Sequence, residues 1–176
     1  MKATSTSKKP KELPLDLTLQ TLIRYGRIYG KTCTGWKSNC SCGWYNKKNV
    51  LTWENLRKGG LFGPSRCQLC GLQEETMDHL LNRCTFTSTL WNWVASIFRQ
   101  TDRDENNIIG TLKNWRKYFL ENETINKAWT LIPSFLIWDV WKECNNRIFK
   151  NRTGSTQSII TQILRQLKET VSTLIK

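Results

Sequence analysis

Residues 67–84 read Cys67-Gln-Leu-Cys70-Gly-Leu-Gln-Glu-Glu-Thr-Met-Asp-His79-Leu-Leu-Asn-Arg-Cys84, a C-x2-C-x8-H-x4-C pattern. Two residues between Cys67 and Cys70 let both sulfurs face one ion, and Gly71 behind them lets backbone amides approach the thiolates. Four soft or borderline donors at this spacing suit the tetrahedral preference of zinc. Four protein ligands leave no coordination position for an activated water. Cys67, Cys70, His79 and Cys84 are therefore expected to hold one structural, non-catalytic Zn2+.

The competing reading of a C-x-x-C pair is a redox site, but such pairs follow a strand and open a helix, whereas this one follows Gly63-Pro64-Ser65 and precedes glycine. His79 is the single histidine of the chain and falls at ligand spacing from three cysteines. Thr76 is placed to cap a helix running through His79 toward Asn82. On an uninterrupted α-helix His79 and Cys84 are separated by about 500°, a net rotation of about 140°. The helix is accordingly expected to end near Asn82, with Cys84 in the turn that follows. Metal binding supplies the folding energy of such small units.

Outward from this cluster, the seven cysteines are an odd number and argue against a disulfide framework. Cys33, Cys40 and Cys42 fit no common knuckle, and Cys144 is distant in sequence. The formal net charge is +13, an excess that attracts polyanions and makes nucleic acid the first partner to consider. It flanks the cysteine cluster: residues 1–66 carry a net +10, residues 67–123 a net −2 and residues 124–176 a net +5. Met1 to Lys11 is rich in Ser, Thr and Lys without an apolar run, unlike a secretory signal, so residues 1–12 read as a flexible basic tail of an intracellular protein, nuclear or cytoplasmic. Three Asn-x-Ser/Thr matches, at Asn39, Asn122 and Asn151, then have no glycosylation meaning. The most apolar stretch, Ala128 to Trp141, is too short to span a membrane and contains Pro133 and Asp139.

The remaining pattern is helical. Leu15, Leu19, Leu22 and Ile23 suggest a helix between Leu13 and Ile28, and Tyr29 to Asn46 has no period. Thr52 can cap a short helix from Trp53 that Gly59-Gly60 ends. A helix from about Ser88 to Phe98 carries Leu90, Trp91, Val94 and Ile97 on one side, and Thr101 to Asn107 reads as the centre of a linker over residues 99–123. Residues 124–149 place Ile125, Trp129, Ile132, Leu136, Val140, Cys144 and Ile148 near one face of a helix bent or restarted at Pro133. After a break at Asn151 to Ser155, Ile160, Leu164, Leu167, Val171 and Leu174 mark a last amphipathic helix. The expected fold is mainly α: short helices around a Cys3His zinc knuckle over residues 50–98, then a helical C-terminal segment over residues 124–176.

Val50-Leu-Thr-Trp-Glu-Asn-Leu-Arg-Lys-Gly-Gly60, Gly63-Pro-Ser-Arg-Cys-Gln-Leu-Cys-Gly71, Glu74-Glu-Thr-Met-Asp-His-Leu-Leu-Asn-Arg-Cys84 and Leu90-Trp91 resemble the reverse-transcriptase zinc-binding domain family of plant LINE-type retrotransposons. Ile132-Pro to Trp138 and Trp141-Lys-Glu-Cys-Asn-Asn-Arg-Ile-Phe149 are similar to the helical segment that follows that domain, with Cys144 standing where arginine is usual. Lys37-Ser-Asn-Cys-Ser-Cys-Gly-Trp-Tyr45 departs from the apolar helix that the family places before Leu51-Thr52. If the serine codons are of the TCN kind, reading one nucleotide earlier turns Asn39 to Tyr45 into a mainly apolar stretch. Residues 13–49 thus include a candidate frame-shifted start of the domain.

The chain shows no Asp-Asp pair for a polymerase metal site and no ribonuclease H carboxylate set. The resemblance implies a retrotransposon-derived, non-catalytic accessory module that binds RNA or single-stranded DNA, with Arg57, Lys58, Arg66 and Arg83 as candidate phosphate contacts and exposed tryptophans as stacking surfaces. The alternatives are a protein-interaction or structural module, docking or self-associating through its amphipathic C-terminal helices, and a retroelement remnant without a cellular role.

Overall fold

The computed structural model describes residues 52–58, 60, 65–99, 103–104, 106–118 and 120–174. The expected helix within 13–28, the irregular segment 29–46, the turn at Gly63-Pro64 and Cys33, Cys40 and Cys42 lie outside these residues. The chain divides into two units, Met1–Pro64 and Ser65–Lys176. In the first, helix α1 spans Trp53–Lys58 and carries a Glu54–Lys58 ion pair of 2.8 Å one turn apart. It starts where the sequence places it, but the Thr52 hydroxyl is buried without a hydrogen-bond partner, so the expected side-chain cap is absent. The Thr52 carbonyl instead accepts the Leu56 N–H at 2.9 Å. Gly60, at φ +83°, closes the helix with its N–H on the Arg57 carbonyl, a conformation that costs glycine least.

The second unit contains a π-helical turn, His79–Arg83, and four α-helices: α2 Thr85–Phe98, α3 Ile108–Trp115, α4 Glu123–Lys150 and α5 Thr156–Leu174. Among the described residues there is no strand, only an isolated antiparallel bridge between Arg66 and Glu74. The described residues are mainly α, with the Cys/His group at the N-terminal end of the second unit and a helical segment at its C-terminal end. No described helix is long and apolar enough to cross a membrane.

Helices α4 and α5 form an antiparallel pair. Glu143 of α4 reaches Gly154 just before α5, while Asp139, one turn earlier, reaches Gln162 and Gln166 within α5. Asn151, in the left-handed conformation at φ 48°, reverses the chain between them. Their buried stripe comprises Trp129, Ile132, Leu136 and Val140 on α4 and Ile159, Ile160, Ile163 and Leu167 on α5. Two positions expected on these faces are solvent-facing instead, Ile125 at 48% and Leu164 at 50% exposure, as is Ile97 of α2 at 53%. Asp139 is buried, held by Lys142 at 2.6 Å and by both glutamines; burial raises its pKa against the opposing pull of Lys142.

Helix α4 runs unbroken through Pro133, so the expected restart does not occur. Proline has no N–H to offer the Trp129 carbonyl one turn back. The Trp115 indole N–H takes that carbonyl at 2.9 Å, so the helix keeps its accounts closed by a side chain from elsewhere. The same indole ring stacks on Trp129, with centroids 3.7 Å apart and planes 9° from parallel, and meets the edge of Trp91 at 5.5 Å. Trp115 belongs to α3, within residues 99–123. That stretch is therefore more than a linker. Its helix is anchored at the other end by Asp78, whose carboxylate accepts the Ile108 N–H, and by Asn82, which bonds to Asp104 and Thr111.

Candidate metal centre

A short hairpin presents the first two donors. The Cys67 N–H donates to the Gln73 carbonyl at 2.8 Å, the Glu75 N–H to the Ser65 carbonyl at 2.7 Å, and the Gly71 N–H turns back onto the Cys67 carbonyl at 2.8 Å. Gly71 sits at φ +68°, and just beyond it the Leu72 N–H reaches the Cys70 sulfur at 3.5 Å. Glycine thus allows the amide-to-sulfur approach that the sequence suggested.

The other two donors come from the π turn. Thr76 accepts the His79 N–H at 3.1 Å through its hydroxyl, the expected cap. Helical winding then widens, and the Cys84 N–H donates to the His79 carbonyl at 2.7 Å, an i to i+5 bond. This bond returns Cys84 over His79, whereas an α-helical turn carries the two apart. The helical turn ends at Arg83, one residue later than expected, and Cys84 is the extended joint before α2. Helix α2 itself begins at Thr85, three residues before the expected start.

The four donor atoms of Cys67, Cys70, His79 and Cys84 all lie within 4.8 Å of one another. Cys67 and Cys84 sulfurs are 3.8 Å apart, and the Cys70 sulfur is 3.3 Å from His79 Nε2. Tetrahedral zinc with sulfur at about 2.3 Å places two sulfurs roughly 3.8 Å apart. The donor set and its spacing therefore fit a zinc ion. Cys67, His79 and Cys84 are buried and Cys70 is half-buried. The hydrogen bond to Cys84, together with burial, pushes the Cys67 thiol up to about 12. Cys84 moves down, mainly as acceptor of that bond, with the Phe86 and Thr87 amides assisting although neither makes a capping hydrogen bond. The hydrogen bond with Cys67, then that with Cys70, raises His79 against the effect of burial. A divalent cation would displace these shared protons.

Cys144 stands outside the four-donor group. Its thiol donates to buried Glu75 at 3.1 Å, and burial followed by the carboxylate charge raises its pKa. Arg66 and Arg83 each neighbour a donor in sequence and are exposed; Arg57 and Lys58 are exposed on α1 of the other unit. The described tryptophans are buried or half-buried, which removes them as freely exposed stacking surfaces. Spacing gave no sign of Arg147, which reaches the hairpin from α4.

Residues 25–91 match the family model described as zinc-binding in reverse transcriptase. That stretch is a reverse-transcriptase zinc-binding domain. All four donors lie inside the match, as does the segment from Lys37 to Tyr45; the match stops within α2, so α3, α4 and α5 lie beyond it. No curated protein and no solved structure matches the chain.

Proposed function

We propose that the chain binds one structural zinc ion through Cys67, Cys70, His79 and Cys84 and acts as a non-catalytic, nucleic-acid-binding accessory module derived from a plant LINE-type reverse transcriptase. The observation that carries the reading is the convergence of four donors at tetrahedral spacing inside a zinc-binding family match. Zinc supplies structural constraint here rather than an open Lewis-acid position, since four protein ligands complete its shell. The net charge of +13 supports a polyanionic partner. Arg57, Lys58, Arg66 and Arg83 contact phosphates of RNA or single-stranded DNA, and the half-buried aromatic rings stay in the core.

Zinc content of the purified chain by atomic emission, beside Cys70→Ser, tests the first half: one zinc per chain is expected, with loss in the variant. Titration with single-stranded RNA and DNA oligonucleotides over a salt series tests the second. Four phosphate contacts predict a slope of log affinity against log salt of about −3. A zinc-loaded protein without salt-dependent affinity, self-associating in a way that dilutes out, would instead be a protein-interaction module.

A further inference from the structure

Arg147 of α4 lies outside the family match, yet three of its contacts, to Gln68, Leu69 and Phe86, fall on the frame of the metal centre. Its side chain is 16% exposed. One terminal nitrogen donates to the carbonyls of Gln68 and Leu69, at 3.2 and 3.0 Å; these are the two residues between Cys67 and Cys70. The other donates to the Gly154 carbonyl at 3.0 Å. Nε donates to Glu143 at 2.8 Å, and the same Glu143 oxygen accepts the Gly154 N–H at 2.6 Å. The guanidinium also lies over Phe86, two residues beyond Cys84, at 4.9 Å. One planar cation thus ties the hairpin, the start of α2, α4 and the α4–α5 loop together.

The consequence for the metal follows from peptide geometry. In a trans peptide the C=O and N–H point to opposite sides, and the chain has no cis bond among the described residues. Holding the Gln68 and Leu69 carbonyls toward Arg147 therefore turns the Leu69 and Cys70 amides the other way. The Cys70 amide belongs to a donor residue itself, so the plane of that peptide sets the direction in which the Cys70 side chain leaves the backbone. Zinc held by three thiolates and a neutral histidine would carry a net charge of about −1, and the guanidinium is anchored on the two residues between the first pair of those ligands.

We propose that Arg147 is a positioning residue for the metal centre, fixing two of the three peptide planes between Cys67 and Cys70 so that the zinc-binding unit reaches through α4 to Gly154. The proposal rests on the zinc reading given above. Glu143 orients Arg147 through Nε, and lysine cannot replace it because an ammonium lacks the planar fork that reaches three carbonyls and a carboxylate at once.

The test is zinc affinity of the full chain by chelator competition, together with the thiolate-to-metal charge-transfer band of the cobalt(II)-substituted protein, for wild type, Arg147→Ala, Arg147→Lys and Leu136→Ala. Loss of a partner that orients metal ligands commonly weakens binding 10- to 100-fold. A weakening of roughly that size is expected for Arg147→Ala, with an altered cobalt band and little recovery in Arg147→Lys. Leu136→Ala, which empties a fully buried position of the α4 stripe about three turns from Arg147, controls for general stability and should leave the band unchanged. Wild-type zinc binding with equal affinity and an identical cobalt spectrum in Arg147→Ala overturns the proposal alone. Matching losses in Arg147→Ala and Leu136→Ala overturn it in favour of a general stability effect. Absence of zinc from the wild type overturns both this proposal and the zinc reading.

Discussion

The hairpin and π turn of residues 65–84 and the α4–α5 pair sit in one unit but are held by different forces. The first gathers four candidate metal donors, three of them buried, beside Leu69, Met77, Leu80 and Leu81; the second buries an apolar stripe from Trp129 to Leu167. A region stabilised by directional bonds to few atoms fails when one donor is lost. A region stabilised by area burial fails by degrees, because each side chain contributes only a few kcal/mol.

The largest effect that separates the two regions is metal removal. Chelator, or Cys84→Ser, should remove stabilisation on the order of 10 kcal/mol from the zinc-bound hairpin. Amide exchange should then lose protection over residues 65–84 first, with α4 and α5 retaining part of theirs. Simultaneous loss over both would show that the regions unfold as one. Next in size is Trp129→Ala, which empties the ring stack with Trp115 and should cost about 3–5 kcal/mol. Thermal melting checks the loss, and zinc stoichiometry should remain that of the wild type.

The two regions also differed in how far their sequence could be read. Ligand spacing is fixed by the ion, so Cys67, Cys70, His79 and Cys84 were legible as a group, and Gly71 and Thr76 took the local roles their chemistry suggested. The π turn was not legible: His79 and Cys84 cannot share an α-helical face, and the expected remedy was a helix ending near Asn82, whereas the backbone widens its winding through Arg83 instead. Helical burial depends on which partner covers which face. Sequence period placed α4 and α5, yet Ile159 and Ile163 carry the α5 core while Leu164 faces solvent. Helix α3 was hidden because its short apolar pattern follows a charged stretch, and its anchor is a tryptophan that pairs with a carbonyl freed by Pro133.

Within the hairpin, Gly71→Ala separates backbone conformation from crowding. A Cβ there meets nothing within 4 Å, so the penalty comes from φ +68° alone. It should be about 1–2 kcal/mol, read as a lower melting temperature of the zinc-bound form. A smaller or absent loss would mean that the hairpin relaxes easily, against the rigid donor frame described above.

Asp139 offers a pH test of the helical pair. Its folded pKa is raised by burial above the usual value of 3.8, so the folded state favours the protonated form. Its contribution is full below the unfolded pKa and is lost as pH rises through the folded pKa. Wild-type stability should therefore fall relative to Asp139→Asn as pH rises from about 4, by at most about 1.4 kcal/mol per pH unit. Denaturant melts of both proteins across that range give the difference; a wild type that gains stability relative to the variant as pH rises would reverse the assignment and make the Lys142 pair the stronger influence.

The smallest expected effects fall on the positions where period and burial disagree. Ile125 and Leu164 are each about half exposed, so replacing either by serine removes little buried area, and the cost should stay within about 0.5 kcal/mol. Ile163, adjacent to Leu164 but fully buried, should lose about 2–5 kcal/mol as alanine. This neighbouring pair decides the rotation of α5 on α4. If Leu164→Ser proves as costly as Ile163→Ala, the helix is turned by about 100° from the orientation described here, and the glutamine contacts to Asp139 would have to move with it.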